Sequence, residues 1–108
     1  MQSIQKIRRN ETATVEYSNI IRIEAKNSYC KIYFTDQRSV LVVSKVLHLV
    51  QANLPADMFV RVHPSHLVNR LFIKSVSGTH TKTVELTNGE FVAVSRRRHA
   101  VFLPVKSA

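Results

Sequence analysis

Apolar residues recur mostly at every second position along this chain. Ile21, Ile23 and Ala25 alternate with Arg22, Glu24 and Lys26, and Cys30, Ile32 and Phe34 alternate with Tyr29, Lys31 and Tyr33. Successive side chains of a strand point to opposite faces, so each run predicts a half-buried strand. Asn27-Ser28 between them reads as a tight turn. The hairpin carries Lys26, Tyr29, Lys31 and Tyr33 on its polar face or at its tip, with Arg22 opposite. Asp36-Gln37 then turns the chain into a further strand, Arg38 to Val43.

Period two gives way at Ser44. This residue opens a helix in which Leu47, Val50 and Leu54 form one stripe and Pro55 supplies the stop, an element suited to plugging a core. A short strand, Phe59 to Val62, follows, and then the loop His63-Pro64-Ser65-His66, in which proline removes a backbone donor. One strand is expected over Leu67 to Val76, with a break at Ser77-Gly78. Lys82 to Thr87 and Glu90 to Val94 flank Asn88-Gly89, the strongest short-range hairpin signal. At the start of the chain, Ile4 to Arg9 and Thr12 to Tyr17 flank Asn10-Glu11 as an opening hairpin. The sum is seven to ten short strands with one or two short helices, an antiparallel, mostly-β domain.

The end of the chain breaks a local rule. Ser95 is a good helix N-cap, and Val101, Phe102 and Leu103 supply a short apolar face before Pro104, so a final helix is expected. Its first turn would hold Arg96, Arg97 and Arg98. A helix N-terminus already carries about half a positive charge, so each cation there costs roughly 0.3 to 1 kcal/mol. A docked polyanion reverses that sign, because free N–H groups and guanidinium groups would converge on phosphate. The alternative is a solvated basic face.

Composition points the same way. The chain has 108 residues, which predicts a single domain, 1–108, and a net charge of +9. Such a charge predicts attraction to polyanions, with RNA, DNA and anionic membrane as the possible partners. The cations are spread along the chain, so only the fold can gather them into a patch. Cys30 is alone, which excludes an intramolecular disulfide and a cysteine metal cluster and agrees with a reducing cytoplasm. No signal peptide or membrane span is visible, and a soluble cytoplasmic domain without membrane contact is expected.

Enzyme chemistry finds little support. His63 and His66 straddle a proline, while His48, His80 and His99 fall on other elements, so no metal site is expected. The carboxylates Glu16, Glu24, Asp36, Asp57, Glu85 and Glu90 are scattered, and no phosphate loop, dinucleotide fingerprint or nucleophile elbow occurs. Neither an enzyme nor a cofactor is expected. What remains is three basic loops: Lys26 to Tyr29, Arg61 to Ser65, and Ser95 to Arg98. They hold long donors for base edges and hydroxyls and amides for phosphate. Two other readings stay open. One is a single-strand or RNA-binding small β-barrel that uses Tyr29 and Tyr33 as a stacking platform. The other is a basic protein-interaction module.

The run Phe59-Val-Arg-Val-His-Pro-Ser-His-Leu-Val-Asn69, then Ile73, Leu86-Thr-Asn-Gly89 and Val94-Ser-Arg96, together with Ile20 to Tyr29, resembles the LytTR family of bacterial DNA-binding domains in order and spacing. The resemblance covers nearly the whole chain. It implies an elongated arrangement of antiparallel β-sheets, about ten short strands and one or two short helices, whose loops enter the major groove. It further implies a transcription regulator of the two-component type that binds tandem direct repeats of double-stranded DNA and bends them, as tandem protomers that need not dimerise off DNA. By the same resemblance, base contacts fall to Asn27, Tyr29, His63, Ser65 and Arg96, and phosphate contacts to Lys26, Arg61, Ser95, Arg97 and Arg98. Asn69 reads as structural, tying the loop to the following strand. At Pro64 the family often has a long or amide side chain, so Ser65 or His66 would have to substitute for it. A receiver domain is expected upstream in the intact regulator. The 108 residues leave no room for one, so either an excised module or a stand-alone regulator is expected.

Overall fold

The computed structural model describes residues 3–5, 14–36 and 40–96. Within them the fold is mostly β and antiparallel throughout, as the alternation predicts. Strands β1 (Ser3–Gln5) and β2 (Thr14–Glu16) pair with each other, while the expected turn Asn10-Glu11 between them lies outside the described residues. A five-stranded sheet contains β3 (Ile20–Lys26), β4 (Tyr29–Phe34), β5 (Val40–Val43), β6 (Phe59–His63) and β7 (His66–Asn69), in the order β5-β4-β3-β7-β6. A three-stranded sheet follows from β8 (Ile73–Ser77), β9 (Lys82–Leu86) and β10 (Phe91–Val94), in the order β10-β9-β8. The molecule measures 44 × 29 × 24 Å along its principal axes, the elongated form expected.

Two apolar layers flank the larger sheet. On one face Ile20, Ile23, Cys30, Ile32, Val43, Phe59 and Leu67 pack under helix α1 (Leu47–Gln51), which contributes the buried Leu47 and Val50, with Leu54 just beyond it. The predicted stripe is therefore the plug of this core. On the other face Ile21, Val60, Val62 and Val68 meet Val84, Leu86, Val92 and Val94 of the smaller sheet.

Several expectations need correction, each for a local reason. Ile21 does not share a face with Ile23: a register shift between Ile20 and Arg22 changes the phase, so Ile20 joins the helix-side core and Ile21 the opposite one. Helix α1 starts at Leu47 rather than Ser44, after a bend in which the Lys45 N–H donates to Val43 O at 2.8 Å. Val46 is its N-cap and provides no side-chain bond. The strand expected over Leu67 to Val76 is broken by a 3-10 turn at Arg70–Phe72, which carries the chain from one sheet to the other.

Asn69 is the pivot of that crossing. Fully buried, it donates from Nδ2 to Ile20 O at 2.8 Å and Tyr17 O at 3.2 Å, and its Oδ1 accepts from Leu71 N–H at 2.9 Å. Its role is structural, as expected, but it anchors the 3-10 turn to the entrance of β3 rather than tying the loop to the next strand. The Asn88-Gly89 signal does join β9 to β10, though not as a two-residue turn. Gly89 N–H donates to Leu86 O and Leu86 N–H to Glu90 O, so Thr87, Asn88 and Gly89 form a three-residue loop. Gly89 supplies the positive φ of 92° that this loop requires.

Candidate nucleic-acid interface

Antiparallel pairing sets the tip of the β3–β4 hairpin and the β6–β7 turn at one end of the larger sheet. At the tip, Lys26 faces Tyr29 across Asn27-Ser28, and Asn27 adopts φ 53°, a left-handed conformation asparagine tolerates better than most residues. In the neighbouring turn His63 pairs with His66, leaving Pro64-Ser65 as a two-residue connection rather than a four-residue loop. The Ala25 N–H donates to Ser65 O at 2.8 Å and fastens the two together. The Ser95 N–H, just after β10, donates to Val62 O at 2.8 Å, so the third segment arrives beside His63. Arg96 follows and is exposed. Arg97, Arg98 and the remainder of the expected final helix lie outside the described residues.

The first two sequence-predicted loops and the described start of the third, Ser95 and Arg96, are thus gathered by two backbone hydrogen bonds. A bulge between Arg61 and His63 then separates the faces of β6. Arg61 keeps register with Leu67 and Ile23 on the helix side, whereas His63 is brought beside His66, with ring centroids 5.2 Å apart. His63 Nδ1 accepts from the Ser65 N–H at 3.0 Å. When the imidazole is neutral its proton is therefore on Nε2, the nitrogen left for an outside acceptor. Arg61, expected at phosphate, directs its guanidinium onto its own turn and onto Gln51 of α1.

Beside this end lies a charged network that single-residue reasoning missed. The Arg22 guanidinium grips Glu90 with two bonds, at 2.9 and 3.3 Å, and lies over the Tyr33 ring, 4.0 Å from its centroid. Burial works against the Arg22 charge, but the hydrogen bond and attraction of Glu90, with smaller contributions from Tyr33 and Glu24, leave its pKa above the ordinary value. The same hydrogen bond holds the Glu90 carboxyl below its usual range, against burial and with help from Asn88. Glu24 accepts from the Tyr33 hydroxyl at 3.2 Å and pairs with Lys26 at 3.5 Å. His66 sits against this network with a buried, unpartnered Nδ1. Burial pushes its pKa down, the attraction of Glu24 opposes this, and His63, Arg22 and Lys26 push it further down. The alternation of β3 and β4 did place Arg22 across from Tyr33, but Glu90 is far along the chain and left no such signal.

Among the described residues no group of three or more His, Cys, Asp or Glu is arranged to hold a metal ion, and no helix is long and apolar enough to cross a membrane. Cys30 is buried, donates to Lys45 O at 3.2 Å, and has its thiol pKa raised by burial despite the charge of Arg61.

A β scaffold that offers polar loops from three distant segments at one end defines a loop-presenting recognition module. The chain matches the LytTr DNA-binding domain family over residues 10–104 and belongs to that family. Among solved structures it is similar to the LytTr DNA-binding domain of a protein described as a methyl-accepting/DNA response regulator from Bacillus cereus. The two share 25% sequence identity and superpose with a TM-score of 0.80, over 100% of both chains. Comparison with curated proteins returned no match.

Proposed function

We propose that this domain is the DNA-reading part of a bacterial transcription regulator and that it recognises a specific duplex through its clustered loops, inserted into successive major grooves at tandem direct repeats. The observation that carries this reading is the joining of the loops by the Ala25–Ser65 and Ser95–Val62 hydrogen bonds. Donors from three segments then meet one ligand on a rigid base.

In this reading His63 offers its Nε2 proton to a base-edge acceptor, and Arg96 is a bidentate donor to guanine O6 and N7. Asn27, Tyr29 and Ser65 supply amide and hydroxyl contacts, while Lys26, Ser95, Arg97 and Arg98 neutralise phosphates. Pro64 has no donor to contribute, which leaves Ser65 as the polar side chain of that turn. The intact regulator carries a receiver upstream and works in the cytoplasm, and protomers sit in tandem on DNA. The single-strand reading is disfavoured because Arg22 already covers the Tyr33 ring that a base would stack on.

Selection from a pool of randomised duplexes, followed by titration over a salt series, tests the proposal. A pair of direct repeats held at least about a thousandfold more tightly than random DNA at physiological salt supports it. Uniform weak binding that fades with salt on every duplex would reduce the basic surface to counterion release and sink it.

A further inference from the structure

The turn between β6 and β7 is held from behind. Arg61 donates from Nε to His63 O at 3.1 Å and from Nη2 to Pro64 O at 2.6 Å, while Nη1 donates to Gln51 Oε1 of α1 at 3.1 Å. One planar fork therefore fixes two consecutive peptide planes and ties both to the helix that plugs the core. The Ser65 N–H is taken by His63 Nδ1 and Ser65 O by Ala25 N–H. Pro64 brings no N–H at all. The carbonyls of residues 63 to 65 and the Ser65 amide are thus bound within the protein, and side chains are what this turn has left to offer a ligand.

We propose that Arg61 and Gln51 form a brace that aims the His63–Ser65 turn at its ligand, and that Arg61 is a positioning residue for base readout rather than a phosphate contact. The inference rests on the DNA-reading function proposed above. A guanidinium is suited to the task because its donors lie in one plane at fixed angles, whereas a lysine ammonium could hold one carbonyl at a time. The benefit falls on specificity. A side chain pre-aimed at a base edge loses less freedom on binding, and nonspecific attraction to phosphate does not depend on that aim. Gln51 lies on α1, on the face of the sheet opposite the His63–His66 pair, so any effect of its loss on base readout has to travel through Arg61.

The test compares Arg61→Ala, Arg61→Lys and Gln51→Ala with the parent domain on the duplex enriched by selection and on a random duplex, across a salt series. The brace predicts a loss of about tenfold or more for Arg61→Ala on the enriched duplex, a change within about twofold on random DNA, and an unaltered salt slope. Arg61→Lys should lose specificity nearly as far, and Gln51→Ala should lose it in the same direction by several-fold. Equal losses on both duplexes, with a salt slope lower by about one and rescue by lysine, would make Arg61 a phosphate contact and overturn the proposal. Full specific binding by Arg61→Ala and Gln51→Ala would overturn it as well. Hydrogen exchange at the Ser65 amide is read in the same variants without DNA, where the brace predicts faster exchange. That arm separates failure of the brace, in which exchange is unchanged, from failure of the DNA-reading function, in which the parent itself prefers no sequence. Should Arg61→Ala not fold, Gln51→Ala decides the matter.

Discussion

At the scale of single residues, Asn69 has the clearest structural consequence. Replacing it with alanine leaves the Ile20 and Tyr17 carbonyls without their donor and removes the cap of the 3-10 turn. Leaving the buried Ile20 carbonyl unpaired costs about 1 to 3 kcal/mol, and the partly buried Tyr17 carbonyl and Leu71 N–H add less, so Asn69→Ala should lower Tm by roughly 10 to 20 °C in a domain of this size, measured by thermal unfolding followed by circular dichroism. The functional residues make a second prediction. Arg96→Ala should cost about 1 to 3 kcal/mol on the selected duplex and relax preference at one base pair. Arg98→Ala should weaken all duplexes alike and lower the salt slope by about one. Titrations of both variants on both duplexes give the answer, and identical behaviour of the two would refute the division of roles. That these arginines were candidates was legible in the sequence, because the helix expected from Ser95 would load its first turn with cations against its own dipole. That Arg61 turns inward was not: the carbonyls it binds belong to a turn whose shape depends on the bulge at Val62.

At the scale of elements, the Arg22–Glu90 pair joins β3 to the end of the β9–β10 loop and makes acid stability a readout of sheet docking. Glu90 has its carboxyl pKa held below the ordinary 4.5, so the pair's contribution is fully present above 4.5 and is lost as pH falls through the lowered value. His66 acts in an earlier window. Its folded-state pKa lies below the ordinary 6.5, so as pH drops under 6.5 the unfolded chain takes up a proton that the folded domain resists, and stability falls. Thermal melts from pH 8 down to about 3 should therefore decline in two steps. Glu90→Gln should abolish the lower step alone, a change of about 4 to 8 °C at most given the value of a partly exposed pair, and His66→Asn the upper one. A single step insensitive to both variants would refute the assignment. Most strands were legible because period two is a local signal. The sheet switch at Asn69 and the phase change at Ile21 were not, since a bulge or a 3-10 turn leaves the hydrophobic pattern almost intact while redirecting the strand beyond it.

At the scale of the whole molecule, shape and charge together bear on how two copies share a pair of repeats. The shorter extents of 29 and 24 Å are less than one turn of duplex, about 34 Å. Two copies one turn apart, each entering one of the successive major grooves on the same face, therefore need not touch if the long axis of 44 Å points away from the DNA. Each copy also carries a net charge of +9, which sets neighbouring copies to repel until phosphates neutralise them. Direct repeats relate protomers by translation, so no twofold interface is called for. The expected outcome is two independent binding events. Titration of a duplex with both repeats should give a Hill coefficient near one, and inserting about half a helical turn between them should leave each affinity within about twofold. A collapse of affinity on that insertion, recovered by a full turn, would mean instead that protomers touch on DNA. The contact would then be heterologous, with one face of a copy meeting a different face of the next. Val40 and Val42 on the edge strand β5, both about half exposed, would be the first residues to exchange for charged ones in locating it.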